Sequence, residues 1–154
     1  MLKMRLFLLL SATLPAALRA QTILYKSCPG CWNPDSLGNH RVVIRYDGPA
    51  AVAHAHIPWR LRTPDPAAHR IIVQDANTGT RILNAATGML TRESGDVFFE
   101  PVSGKGLYYI YYLPYRNEGR SNYPKGIYWR PDSTASAGWL GRLKRDLPDN
   151  CNVV

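Results

Sequence analysis

Cys28 and Cys31 enclose Pro29 and Gly30, and this Cys-x-x-Cys pair is the one motif in the sequence with a chemistry of its own. In a thiol oxidoreductase such a pair opens a helix that follows a strand, where the helix dipole lowers the pKa of the first thiol. Here only a few apolar residues precede it, prolines bracket it, and no βαβ pattern surrounds it. The expected role is a structural disulfide closing a small loop, with redox chemistry the weaker reading. Zinc would need two further ligands in tetrahedral reach. His40 and Cys151 could be nominated, but nothing fixes their spacing. His54 and His56, two apart on an alternating run, point to the same face of a strand. They would hold a metal only with a third ligand from a neighbouring strand. No such ligand is visible, so neither a metal nor any other cofactor is expected.

A second kind of chemistry is recognition. Trp59 stands between Pro58 and Arg60, with Arg62 two residues on. Aromatic faces stack on sugar rings, and planar guanidinium forks bind carboxylates. Trp59, Arg60 and Arg62 are therefore candidate ligand-binding residues, together with Tyr111, Tyr115 and Tyr123 from the tyrosine-rich stretch that continues to Tyr128 and Trp129. The opposing reading makes Trp59 a core cap, with Arg60 and Arg62 paired to Asp65 and Glu100. No catalytic residues are expected. The acids are few and lie mostly in turns, no two form a pair suited to glycoside hydrolysis, and neither a nucleophile elbow nor a phosphate-cradling glycine loop is present.

The elements that must position these residues read as strands. Lys3 and Arg5, the apolar run from Leu6 to Leu14 and the small Ala16, Ala17 and Ala20 have the layout of a cleavable export signal over residues 1–20. The apolar run is too short to span a bilayer. Removing it takes away Lys3, Arg5 and Arg19 and no acid, lowering the formal charge of +8 by three. The remaining basic residues are scattered, so a nucleic-acid partner is not expected, nor is a membrane after cleavage. An exported destination follows, whether periplasmic, cell-surface or extracellular. Three cysteines are an odd number for such a chain and leave Cys151 without an assigned partner.

Residues 21–39 read as an irregular segment carrying the Cys pair. Alternation predicts strands over 40–46 and 50–57, the latter ended by Pro58. Asn77-Thr78-Gly79 predicts a hairpin joining 70–75 to 80–84. Glu93-Ser94-Gly95 predicts another, joining 89–92 to 96–102, and 107–113 is the strongest β segment because aromatic and β-branched residues suit a pleated sheet. About seven strands at this spacing predict an all-β antiparallel sandwich over 40–131. Residues 132–154 read as a linker and the start of a missing C-terminal domain, with a short helix beginning near Trp139.

The order of Ile57-Pro58-Trp59-Arg60-Leu61-Arg62, Asp75-Ala76-Asn77-Thr78-Gly79, Asn84, Gly95-Asp96-Val97-Phe98-Phe99-Glu100-Pro101, the run from Gly106 to Tyr115, and Asn122-Tyr123-Pro124 resembles the N-terminal β-sandwich region of bacterial secreted proteins related to glycoside hydrolase family 123. That resemblance implies a (β/α) barrel beyond the sandwich, carrying the acidic residues for hexosaminide hydrolysis assisted by the substrate's acetamido group. None of those acids has a matching position in this sequence. The expectation is a non-catalytic accessory domain whose partners are a glycan or the barrel. A free-standing carbohydrate-binding or adhesion module is the alternative, and an exported Cys-x-x-Cys thiol protein a third.

Overall fold

A computed structural model describes residues 30–38 and 40–146. The export signal, Cys28 and Cys151 lie outside the described residues. A short helix α1 (Pro34–Leu37) is followed by β1 (His40–Tyr46), β2 (Ala53–Pro58), β3 (Ile71–Asp75), β4 (Ala85–Leu90), β5 (Ser94–Phe99) and β6 (Gly106–Tyr112). A small ribbon, β7 (Tyr115–Asn117) and β8 (Gly126–Tyr128), comes next, and helix α2 (Ala137–Asp146) ends the described chain. Two three-stranded antiparallel sheets, ordered β1-β6-β3 and β2-β5-β4, face one another as the all-β sandwich that the alternation predicts.

The period-2 pattern builds the core. Ala53, Ala55 and Ile57 of β2 and Val97 and Phe99 of β5 point inward to meet Val73 of β3 and Tyr108 and Ile110 of β6. Their neighbours in sequence, His54, His56, Asp96 and Phe98, therefore point outward from the second sheet. That outer face is closed by α2, where Trp139 and Leu143 bury Phe98 and Ala86. Ser136 caps the helix by accepting the Trp139 backbone N–H. Residues 137–146 thus pack back onto the sandwich.

Two turns explain the placement of the strands. Asp75 is buried, and its Oδ1 accepts the backbone N–H groups of Asn77 at 2.8 Å and Thr78 at 3.0 Å. Gly79 completes the reversal at φ 69°. Hydrogen bonds from the Ser103 side chain and from Thr78, set against burial, hold the Asp75 carboxyl below its ordinary pKa. The returning segment expected as a strand over 80–84 makes only a single bridge, Gln74 to Arg81. Asn84 meets Glu100 through both its side-chain amide and its backbone carbonyl, and from Ala85 the chain pairs with β5 rather than β3. The second turn is at Thr91, whose hydroxyl oxygen accepts the N–H groups of Glu93 and Ser94. The hairpin expected around Glu93-Ser94-Gly95 therefore forms, with its strands running earlier than read from the sequence.

Candidate binding surface at the open edge of the sandwich

The six candidate ligand residues do not converge. Trp59 is 5% exposed: its ring lies 5.1 Å from that of Tyr112, and its indole N–H donates to the Thr91 carbonyl at 2.8 Å. It covers Gly95, where a Cβ would stand 2.1 Å from the indole. The ring is buried in the core, which corrects the stacking role read from its position at a strand exit. Arg60 and Arg62 are exposed, but the carboxylates nominated for them are used elsewhere, Asp65 accepting the Ala68 N–H and Glu100 binding Asn84. Tyr111 is 2% exposed, covered by the edge of Trp32 at 5.8 Å, and is likewise a packing residue. Nothing in the sequence showed that Trp32 would fold over Tyr111.

Tyr115 and Tyr123 lie with the β7–β8 ribbon. Tyr115 meets Tyr128 edge to face at 5.9 Å, and Tyr128 meets His69 at 4.7 Å. The Trp129 ring carries two guanidinium groups, Arg70 at 5.5 Å and Arg116 at 5.3 Å. Tyr123, in the connection between the two strands, is 80% exposed. This exposed end presents rings and cations together, the composition expected of a recognition surface.

Beside the ribbon the chain forms a strap over the edge of the sandwich. Arg70 Nε donates to the Arg130 carbonyl at 3.0 Å, the Thr134 hydroxyl donates to the Leu83 carbonyl at 2.7 Å, and the Ser136 N–H donates to Asn84 Oδ1 at 2.9 Å. Asp132 is the anchor. One nitrogen of Arg81 reaches both of its oxygens at 2.8 Å, and Arg70 Nε lies 3.2 Å away. Under the strap, where the strand over 80–84 fails to form, the sandwich opens into a cleft of about 380 Å³ floored by Ile71, Ile82, Ala85 and Val97. His69 stands at its side, with Nε2 2.8 Å from the Thr63 hydroxyl, and its pKa is lowered by burial, partly offset by Asp65. Arg70, Arg81 and Asp132 were not singled out in the sequence. Asp132 lies 51 positions or more from either arginine and the three carry no motif, so topology alone brings them together.

A third cluster lies on the outer face of the second sheet. His54 Nε2 and His56 Nδ1 each sit 2.9 Å from Asp96 Oδ1, and the His54 ring stacks on Phe98 at 4.5 Å. Burial opposes ionisation of Asp96, but hydrogen bonds from His56 and His54 prevail and hold its pKa below the ordinary value. The neighbouring strand does supply a carboxylate to the histidine pair. Among the described residues, however, no three His, Cys, Asp or Glu side chains are placed to hold a metal ion.

Fold and surface together define an antiparallel β-sandwich module with an aromatic, basic edge. The chain matches the family described as Glycoside hydrolase 123, N-terminal domain, over residues 30–153, and it belongs to that family. No curated protein and no solved structure matches it. It is a glycoside-hydrolase-associated N-terminal domain, and among the described residues no helix is long and apolar enough to cross a membrane.

Proposed function

We propose that this chain is the non-catalytic accessory domain of an exported glycoside-hydrolase protein acting on carbohydrate. The family match over residues 30–153 is the observation that carries the reading. The roles of the acids support it. Asp75 ties a turn, Asp96 bridges two histidines, Asp132 anchors the strap, Glu100 binds Asn84 and Glu118 pairs with Arg116. Each of these carboxylates is engaged by a neighbouring group of this chain. The ribbon bearing Tyr115, Tyr123, Tyr128 and Trp129 is the surface we assign to a glycan or to a following catalytic barrel.

Export rests on the layout of residues 1–20, and it makes a disulfide the default for Cys31, with Cys28 and Cys151 as the partners on offer. One preparation tests all three statements. The chain is expressed with its own leader in a bacterial host and recovered from the exported fraction. Peptide mass mapping is expected to find a mature N-terminus near Gln21 and an oxidised Cys31, and an aryl N-acetylhexosaminide is expected to remain unhydrolysed. Retention in the cytoplasm refutes export, a reduced Cys31 refutes the disulfide, and turnover removed by mutating an acid of this chain refutes the non-catalytic role.

A further inference from the structure

We infer that the cleft beneath the strap is a binding site for a small carboxylate with an apolar body. Its volume, about 380 Å³, falls at the small end of the range of ligand pockets, roughly 300 to 1,000 Å³. Its floor is made of the aliphatic side chains Ile71, Ile82, Ala85 and Val97, which gain nothing from water. Its mouth is basic. The lining includes the cations Arg81 and Lys144 and one acid, Asp132. Asp132 also serves Arg70, so one carboxylate is shared by two guanidinium groups and the mouth keeps an excess of positive charge. Arg81 leaves about a third of its side chain exposed beside Asp132. An anionic oxygen at the mouth would offset the positive charge of Arg81 and Lys144 that Asp132 alone leaves uncompensated, and the apolar body would occupy the floor. A neutral sugar fits this arrangement less well, because hydroxyl groups set over Ile71, Ile82, Ala85 and Val97 would give up water without a hydrogen-bonding partner on that floor.

Titration of the isotope-labelled whole chain followed by amide NMR tests the assignment, with octanoate as the probe and octanol and acetate as controls. Octanoate is expected to bind saturably, shifting amides of residues 81–87 and 132–135. Octanol should bind about tenfold more weakly, the equivalent of one charge-assisted contact, and acetate should leave the spectrum unchanged. Lys144→Gln, an exposed substitution, is expected to weaken octanoate about two- to fivefold, the scale of a partly screened charge pair, without altering octanol. Ala85→Met, which fills the floor, is expected to weaken both. If that variant does not fold, Lys144→Gln still decides. Equal affinity for octanoate and octanol, an unaltered response in Lys144→Gln, shifts mapping elsewhere, or no saturable binding would each overturn the proposal.

Discussion

The two outer faces of the sandwich are closed in different ways. On the second sheet, Phe98 and Ala86 lie under Trp139 and Leu143 of α2, a helix laid across the strands. On the first sheet the cover is made of single side chains. Trp32 reaches in from ahead of α1 to shield Tyr111, and the Arg41 guanidinium lies 4.4 Å from the Trp32 ring and 4.2 Å from that of Tyr109. Val43 and Leu107 remain 50% and 39% exposed on the same face. A helix removes a whole stripe of apolar surface at once, whereas a cation held between rings covers only what it touches. The helical side should therefore carry most of the stability and the other side should be easier to open.

Trp139→Ala is the largest break. It removes a side chain that is 2% exposed and should cost about 3–5 kcal/mol in urea unfolding, the range for buried aromatic truncation. Trp32→Ala should cost about 1–2 kcal/mol, combining an edge-on ring contact with a cation–π contact. A double-mutant cycle with Arg41→Ala should return a coupling of about 0.5–1 kcal/mol. If Trp32→Ala destabilised as much as Trp139→Ala, the two faces would be equivalent and the contrast would fail.

The smallest expected effect lies at the edge of the helix-covered face. The Asp96 pKa is lowered by folding, so the stability it contributes is fully present above the unfolded carboxylate value and is lost as pH falls through the folded one. Asp96→Asn should lower stability at neutral pH by less than about 1 kcal/mol, because the histidines are half exposed. It should also flatten the decline below pH 4. Wild-type and variant stability curves that ran parallel from pH 7 to 3 would show that the carboxylate is not coupled to its histidines.

What the sequence made legible was local. The strands over 40–46, 70–75 and 107–113 and the helix near Trp139 follow from alternation and spacing, and each is present to within a residue or two. The segment expected as a strand over 80–84 bonds β3 only through Thr80 and Ile82, around the single Gln74–Arg81 bridge, before Asn84 turns to Glu100. β4 escaped because Ala85-Ala86-Thr87-Gly88 has weak strand propensity and is held by burial against Phe98. The β7–β8 ribbon is three residues a side in a stretch of Asn, Gly, Ser and Pro, too short for a period to show. The candidate residues divided along the same line. Tyr115 and Tyr123 reach a surface, while Trp59 lies over Gly95 against Tyr112 and Tyr111 lies under Trp32, neighbours that only the tertiary fold brings to them.

Gly38 has φ 74°, and a Cβ there would come within 2.6 Å of the Leu113 carbonyl oxygen. Leu113 itself adopts φ 59°, a left-handed conformation unusual for a leucine. Two chain segments therefore cross backbone to backbone, with the Trp32 indole closing the loop by donating to the Gly38 carbonyl at 2.7 Å. The crossing works as a clasp. It fastens residues 30–38 to the hinge between the main sheets and the aromatic ribbon. It also sets a boundary for anyone cutting the gene. A chain begun at His40 would keep every strand of the sandwich yet lose the piece that shields Tyr111 and braces the ribbon, and the family match starts at residue 30, ahead of that clasp.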